Sequence, residues 1–481
     1  MKARAQTLTV DNSVKDMSSA NTQDKASDIQ LAVELMKSKI ETVLVAEASG
    51  ARDMPGGPVR IEVTVPDQSP IDWLMRSSSK VRLYWRDRDG RFEMAGTGVA
   101  DWYDAGTGNL SETLESLRTV LEAGDDDIRY YGGGRFDVER TVNDEWQPFG
   151  KYLFVLPRFE LTRTPSRTRL VCNLFPRRDS EAADDIVTEL NLLLEVSDVT
   201  SSGLPAAVQR EDEPDPTEWS KAIGSALNSI REGGFEKIVL ARRTSLAFDE
   251  AVPPLSLMRE ISQSISSSYC FYFQPAPQVA FMGVTPERLY SRKGTKLICE
   301  AIAGTRPRGE TPGQDEKLAE ELLSSDKDIR EHRFVVSSIV DSLSTLSGTQ
   351  AAVDGAAMSL LKLERVQHLM TPLKFKLNSG VTDADLLNAL HPTAAVGGYP
   401  REDALEEIRK LENFDRGWYA GPAGWVGKDE SEFAVAIRSA LVKDNSVSLF
   451  GGAGIVEGSD PDNEWDEINA KIAGFMRVLM P

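Results

Sequence analysis

The 481-residue chain is poor in cysteine and histidine. Its three cysteines, Cys172, Cys270 and Cys299, fall at no paired spacing. That excludes a disulfide framework and points to a reducing compartment. With no thiolate set and no third histidine nearby in sequence, His332 and His368 do not make a zinc site. No run of about 18 apolar residues occurs, so no membrane span is expected. The N-terminus is polar, acidic and serine-rich and lacks the apolar centre of a secretion signal, so a cytoplasmic location is expected. Positive charge is in deficit. The 55 Lys and Arg residues against 75 Asp and Glu leave a net charge of −20. Such a surface disfavours nucleic acid, and any anionic substrate needs a locally positive site. Internal repeats and regular βαβ spacing are also missing, which argues against a doubly wound parallel sheet.

Residues 1–26 read as a disordered tail, being polar and low in aromatics. Residues 27–208 read as an N-terminal α/β region. Leu31, Leu35, Ile40 and Leu44 suggest a helix over 29–46, and residues 58–66 alternate as a strand. Residues 80–85 and 92–100 flank Asp87 to Gly90, a hairpin signal. Leu110, Leu114, Leu117 and Leu121 mark one face of a helix. Further strands are expected at 152–156 and 168–172. An acidic, proline-containing connector covers 209–217. A helix follows, with Thr217 as its cap and Trp219, Ile223, Leu227 and Ile230 on its apolar face. Residues 217–481 read as a further large region, which holds the motifs with a chemical signal.

The richest stretch is the C-terminal one. A glycine-rich loop, Gly452-Ala453-Gly454, runs into a helix that Asp460 or Asp462 can cap. At about 100° per residue, Glu464, Glu467 and Lys471 fall within an arc of roughly 60°. Ile468, Ile472, Phe475 and Leu479 occupy the neighbouring arc. A carboxylate pair suits a hard cation such as Mg2+. The lysine and loop amides suit an anion bound beside it. The bland alternative is a solvated face with an intrahelical Glu467–Lys471 pair.

That stretch resembles the end of the chorismate-utilising enzymes, which include isochorismate, salicylate, anthranilate and aminodeoxychorismate synthases. Further blocks match in the family's order. They are residues 237–242, Thr285-Pro286-Glu287-Arg288-Leu289, and residues 300–309, 325–332, 367–369, 391–398 and 416–421. The resemblance implies an α+β fold, with two large antiparallel β-sheets packed face to face and helices outside.

It also implies roles for particular residues. Lys237 matches the general base that activates water in isochorismate and salicylate synthases, provided burial or positive neighbours favour its neutral form. Glu287 matches the general acid that protonates the departing C4 hydroxyl, which a poorly solvated pocket would keep protonated. Glu331 matches a Mg2+ ligand opposite Glu467, with Glu464 close by or bridged by water. Arg438 interrupts an apolar run and needs a partner. The family implies a substrate carboxylate, helped by Tyr419, Lys471 and the amides of Gly452, Ala453 and Gly454. Gly304, Thr305 and His368 match residues lining the same pocket. Aminating and salicylate-forming relatives typically carry threonine where this chain has Ala395, and aminating relatives lack the lysine. No cysteine sits in a glycine-flanked nucleophile motif, so no glutamine-hydrolysing domain is expected to be fused, and because Lys237 favours water over ammonia no obligatory glutamine amidotransferase subunit is expected. The reading is an isochorismate synthase acting on chorismate. The alternatives are a salicylate synthase, an anthranilate or aminodeoxychorismate synthase, and an inactive ligand-binding paralogue. The pathway served, menaquinone or siderophore, stays open.

Overall fold

The computed structural model describes residues 22–48, 56–104, 109–193, 203–265, 267–347, 358–363 and 365–480. Two antiparallel sheets dominate it, one of twelve strands and one of nine. Strands from both halves of the sequence build each sheet. In the larger sheet the hairpin strand Arg82–Arg86 pairs with Tyr269–Ala276. In the smaller one Arg129–Gly134 pairs with Pro422–Gly427. The family's α+β architecture is therefore present, and the N-terminal half completes both sheets rather than forming a sheet of its own.

Strand periodicity explains the packing. Side chains alternate between faces along a strand. Leu83, Trp85, Phe271, Phe273 and Phe281 join a core that also holds Leu289, Leu297 and Phe433 of the smaller sheet. Their neighbours Tyr84, Cys270, Tyr272 and Met282 fall in a second core, shared with helix residues such as Met36, Ile40, Leu257 and Ile472. A sheet buried on both faces reads as nearly continuous apolar sequence, which hides its alternation. All three cysteines are buried and free. Among the described residues no helix is long and apolar enough to cross a membrane.

Several local readings need correction. The first helix spans Thr22–Ala48, so it begins inside the expected tail, whose residues 1–21 lie outside the described residues. Leu31 and Leu35 are 70% and 47% exposed, while Ala32, Met36, Ile40 and Leu44 are buried. The packed face is the i, i+4 row one position along. The acidic connector is mostly a strand, Ala207–Glu213, paired with Lys237–Phe248. Ladder hydrogen bonds and the Arg243–Glu213 ion pair hold it despite its charge. The next helix, Pro216–Arg231, is capped by Asp215 in a reciprocal box with Glu218, and Thr217 lies inside it. Proline at the first helical position costs no hydrogen bond, which makes Asp215 the better cap. The apolar run around Arg438 is two strands, Glu430–Val435 and Ser439–Lys443, with Arg438 at the turn between them at φ 50°.

Gly417 shows how tightly the seam is built. It has φ 54°, and a Cβ there would lie 2.0 Å from the Trp146 ring. Trp146 is fully buried against Phe281. Gly417→Ala should therefore lose about 3 kcal/mol of stability, from left-handed strain plus overpacking. Urea unfolding measures this, and a loss under about 1 kcal/mol would show that the seam relaxes easily.

Candidate active site

Strands and helices of the C-terminal half converge on one cavity of about 700 Å³, part of it open to solvent. The strand Lys237–Phe248 brings Lys237 and Val239, and Ser446–Ile455 runs antiparallel beside it. The helix Asp326–Leu343 starts where the Ser325 hydroxyl accepts from the Asp328 amide, which sets Glu331 in its second turn. The helix Pro461–Leu479 is capped by Asp460, which accepts from the Asn463 amide. Glu287, Gly304, Thr305, Glu331 and His368 line the cavity. So do Tyr419, Arg438, Gly452, Gly454, Glu467, Lys471 and Ala395.

Three expected residues stand back from the lining. Lys237 is fully buried behind Gly454. A Cβ on Gly454 would lie 3.1 Å from Lys237 Cε and 2.4 Å from Glu331 Oε1, so glycine leaves room for both side chains. Glu464 is buried and paired with Lys327 Nζ at 2.7 Å. Ala453 is taken by the ladder. Val239 donates to Gly397 O and Ala241 donates to Glu412, so both face away from the glycine strand. Their partners Gly454 and Gly452 are then the non-hydrogen-bonded positions, and Leu240 opposite Ala453 is the bonded one. The free peptide edges belong to Gly452 and Gly454. Lys471 accordingly donates to Gly452 O at 2.8 Å.

Buried charges here come in pairs. Lys237 Nζ lies 3.0 Å from Glu331 Oε1, close enough for an ion pair though poorly aligned for a hydrogen bond. Lys471 Nζ is 2.7 Å from Glu467 Oε1. The intrahelical pair thus forms, but on the cavity wall. Burial works against the charge on Glu467, yet Lys471 with Lys327 and Lys237 together outweigh it and hold the carboxyl below its ordinary range. Glu464 is raised by burial, which Lys327 only partly offsets.

Glu287 behaves differently. Its carboxyl is pushed up to about 8 by burial, against the pull of Lys237, Lys471 and Arg438. It is mostly protonated at neutral pH. Arg438 is lowered to about 10 by burial, and its guanidinium meets a histidine rather than a carboxylate. Arg438 Nη2 is 2.9 Å from His368 Nε2. Burial, Arg438 and Lys471 keep His368 far below its usual range, so the ring is neutral. Arginine only donates, so Nε2 must accept and Nδ1 carries the proton. That proton faces Thr305 Oγ1 at 3.0 Å and Gly304 O at 3.3 Å. Gly304 sits at a register shift in its strand with φ 74°. Tyr419 stacks on Phe450, and burial raises its phenol, so it stays a donor.

Among the described residues no group of three or more His, Cys, Asp or Glu side chains is gathered to hold a metal. Of the carboxyls that line the cavity Glu287 holds its proton, which leaves Glu331 and Glu467 as the oxygen donors for a cation. Two carboxylates with room for water and a substrate oxygen fit the hard-cation chemistry of Mg2+. Lys327, the partner of Glu464, escaped the sequence reading because a lysine in a helical first turn carries no signal of a partner on another helix. Val239, Pro286, Ile302, Ala303, Val396, Ile437, Phe450 and Gly451 complete the walls; the first five lie inside matched blocks, but nothing in their side-chain chemistry singled them out.

The chain belongs to the chorismate binding enzyme family, whose description matches residues 47–480. It is 32% identical over 437 residues to the chloroplastic isochorismate synthase of Catharanthus roseus, spanning 87% of this chain and 75% of that one. The solved structure of MenF, the menaquinone-specific isochorismate synthase of Escherichia coli, superposes with a TM-score of 0.81. The identity is 31%, over 94% of this chain and all of the other. Anthranilate synthase component I of Streptococcus pneumoniae shares the fold at a TM-score of 0.68 and 22% identity, over 80% of this chain and 92% of the other.

The raised Glu287 has a consequence for stability. An unfolded glutamate ionises near 4.5, whereas the folded one holds its proton to about 8. The folded state binds the extra proton, so Glu287's contribution is present below about 4.5 and is lost as pH rises through about 8. Glu287→Gln has no proton to lose. Its stability relative to the parent should climb between pH 5 and pH 8, with a slope approaching about 1.4 kcal/mol per pH unit. Urea titrations of both proteins across that window read the difference, and a flat one would mean that Glu287 ionises normally.

Proposed function

We propose that the chain is an isochorismate synthase that isomerises chorismate, a small dianionic substrate. The observation that carries this reading is the pairing of a protonated buried acid, Glu287, with a fully buried amine, Lys237, at one cavity. Lys237, in its neutral form and released from Glu331, takes a proton from water and the oxygen bonds to C2 of the ring. The ring double bonds shift, the C4–O bond breaks, and Glu287 protonates the departing hydroxyl. One water enters and one leaves, so the net change is an isomerisation. Water is the nucleophile, so the reaction needs no ammonia-supplying subunit.

The rest of the cavity serves binding. Arg438, Lys471 and Tyr419 face the substrate's anionic groups as donors, and the free edges of Gly452 and Gly454 add amides. His368 holds Arg438, with Gly304 and Thr305 fixing the ring. Glu331 and Glu467 would hold Mg2+, with Glu464 and Lys327 behind them. The bound cation would supply positive charge for a substrate carboxylate. Ala395 presents only a methyl to the cavity, where salicylate-forming and aminating relatives typically carry a hydroxyl. That favours release of isochorismate over further loss of pyruvate.

Incubating the pure protein with chorismate and Mg2+, with products separated by chromatography, tests the reading. Isochorismate should accumulate to equilibrium with chorismate, and excess chelator should stop it until Mg2+ is restored. Salicylate as the main enzyme-dependent product would overturn the assignment, as would anthranilate formed from ammonium.

A further inference from the structure

We propose that Arg88, carried on the N-terminal hairpin, is a positioning residue for the acid Glu287. This rests on the reading of Glu287 as the acid, and it gives the N-terminal half a part in the chemistry.

The hairpin tip is built to hold one residue outward. The Asp87 carboxylate accepts from the Arg91 amide at 2.8 Å, Gly90 N donates to Asp87 O at 3.2 Å, and Gly90 takes φ 66°. Arg88 extends from this turn to two targets in the C-terminal half. Nη1 donates to the Pro286 carbonyl at 3.1 Å. Both guanidinium nitrogens hold Glu300, at 2.6 and 2.7 Å. Arg288 also donates to Glu300, at 2.8 Å, and reaches Glu432 at 3.3 Å. Tyr269 donates to Glu432 at 2.8 Å, and both guanidinium groups lie 5.8 Å from its ring.

A network of this kind can merely pin a hairpin. Two observations point further. The carbonyl that Arg88 holds belongs to Pro286, which lines the cavity and immediately precedes Glu287. Glu300 is buried two residues before the cavity-lining Ile302, on the same face of its strand. Its charge reaches Glu287 and favours the protonated acid. The other groups facing Glu287 are Lys237, Lys471, Arg438 and Tyr419. Arg88 therefore fixes the backbone of the acid's strap and offsets Glu300, a buried anion that acts on it.

Four full-length variants test this by pH–rate profiles, with circular dichroism as the check on folding. Arg88→Met should lower kcat by about 10- to 100-fold with KM little changed, as displaced reacting groups do. Its alkaline limb should move to higher pH, because Glu300 is less neutralised. Glu300→Gln should move that limb to lower pH. Arg88→Lys, which keeps the charge but not the fork, should restore the limb but only part of kcat. An Arg88→Met enzyme with the parent's kcat and limb, or a loss confined to KM, would overturn the proposal. If Arg88→Met does not fold, parent-like kcat in folded Arg88→Lys overturns it equally. Glu287→Gln separates the two readings. Full activity there means that Glu287 is not the acid. An inactive Glu287→Gln beside an unaffected Arg88→Met means that only the positioning role fails.

Discussion

The cost of burying charge organises this molecule. An ionised group removed from water must be paired, hydrogen-bonded or neutralised. Around the cavity Lys237, Lys471 and Lys327 each take one carboxylate, while Arg438 takes a neutral histidine. Among the described residues no cation lies within ion-pair distance of Glu287, and it keeps its proton instead. A carboxylic acid that stays protonated at neutral pH is what a departing hydroxyl requires. The same burial lets a small set of donors act strongly on an anionic substrate, although the protein as a whole is strongly negative.

Keeping water from Glu287 depends on closing two sheets over each other, and neither sheet is complete without the N-terminal strands. The seam pairings, the Trp146 packing over Gly417 and the Arg88–Glu300 contact all join residues far apart in sequence. The N-terminal half thus braces the cavity, even though the residues that line it come from the C-terminal half.

Much of the site was legible because its chemistry sits in short runs. The acidic first turn of the last helix could be read directly and the family resemblance picked out Glu287 within its Thr285–Leu289 block, whereas the Gly452–Gly454 run, expected as a loop, is the end of the strand Ser446–Ile455. The hairpin at Asp87–Gly90 and the helix beginning at Leu110 followed from turn chemistry and periodicity. What stayed hidden depends on tertiary pairing. Ala453 looks like its flanking glycines, but only ladder register shows that its peptide is consumed. Leu31 and Leu35 fit a helical stripe as well as Met36 and Ile40 do, and only the packed sheet selects between them. The acidic residues 207–213 look like a linker until Lys237–Phe248 offers them an edge. Arg438 suggested a carboxylate partner, and nothing local reveals that a histidine 70 residues away accepts from it.

The central claim is that one cavity carboxyl is protonated at neutral pH. Carbon-detected NMR of protein labelled at the glutamate side-chain carboxyl measures this directly. One resonance should titrate with a midpoint near 8, and it should vanish in Glu287→Gln. If every glutamate has ionised by pH 6, or if the high-titrating resonance survives that substitution, the account of Glu287 as a protonated acid is contradicted.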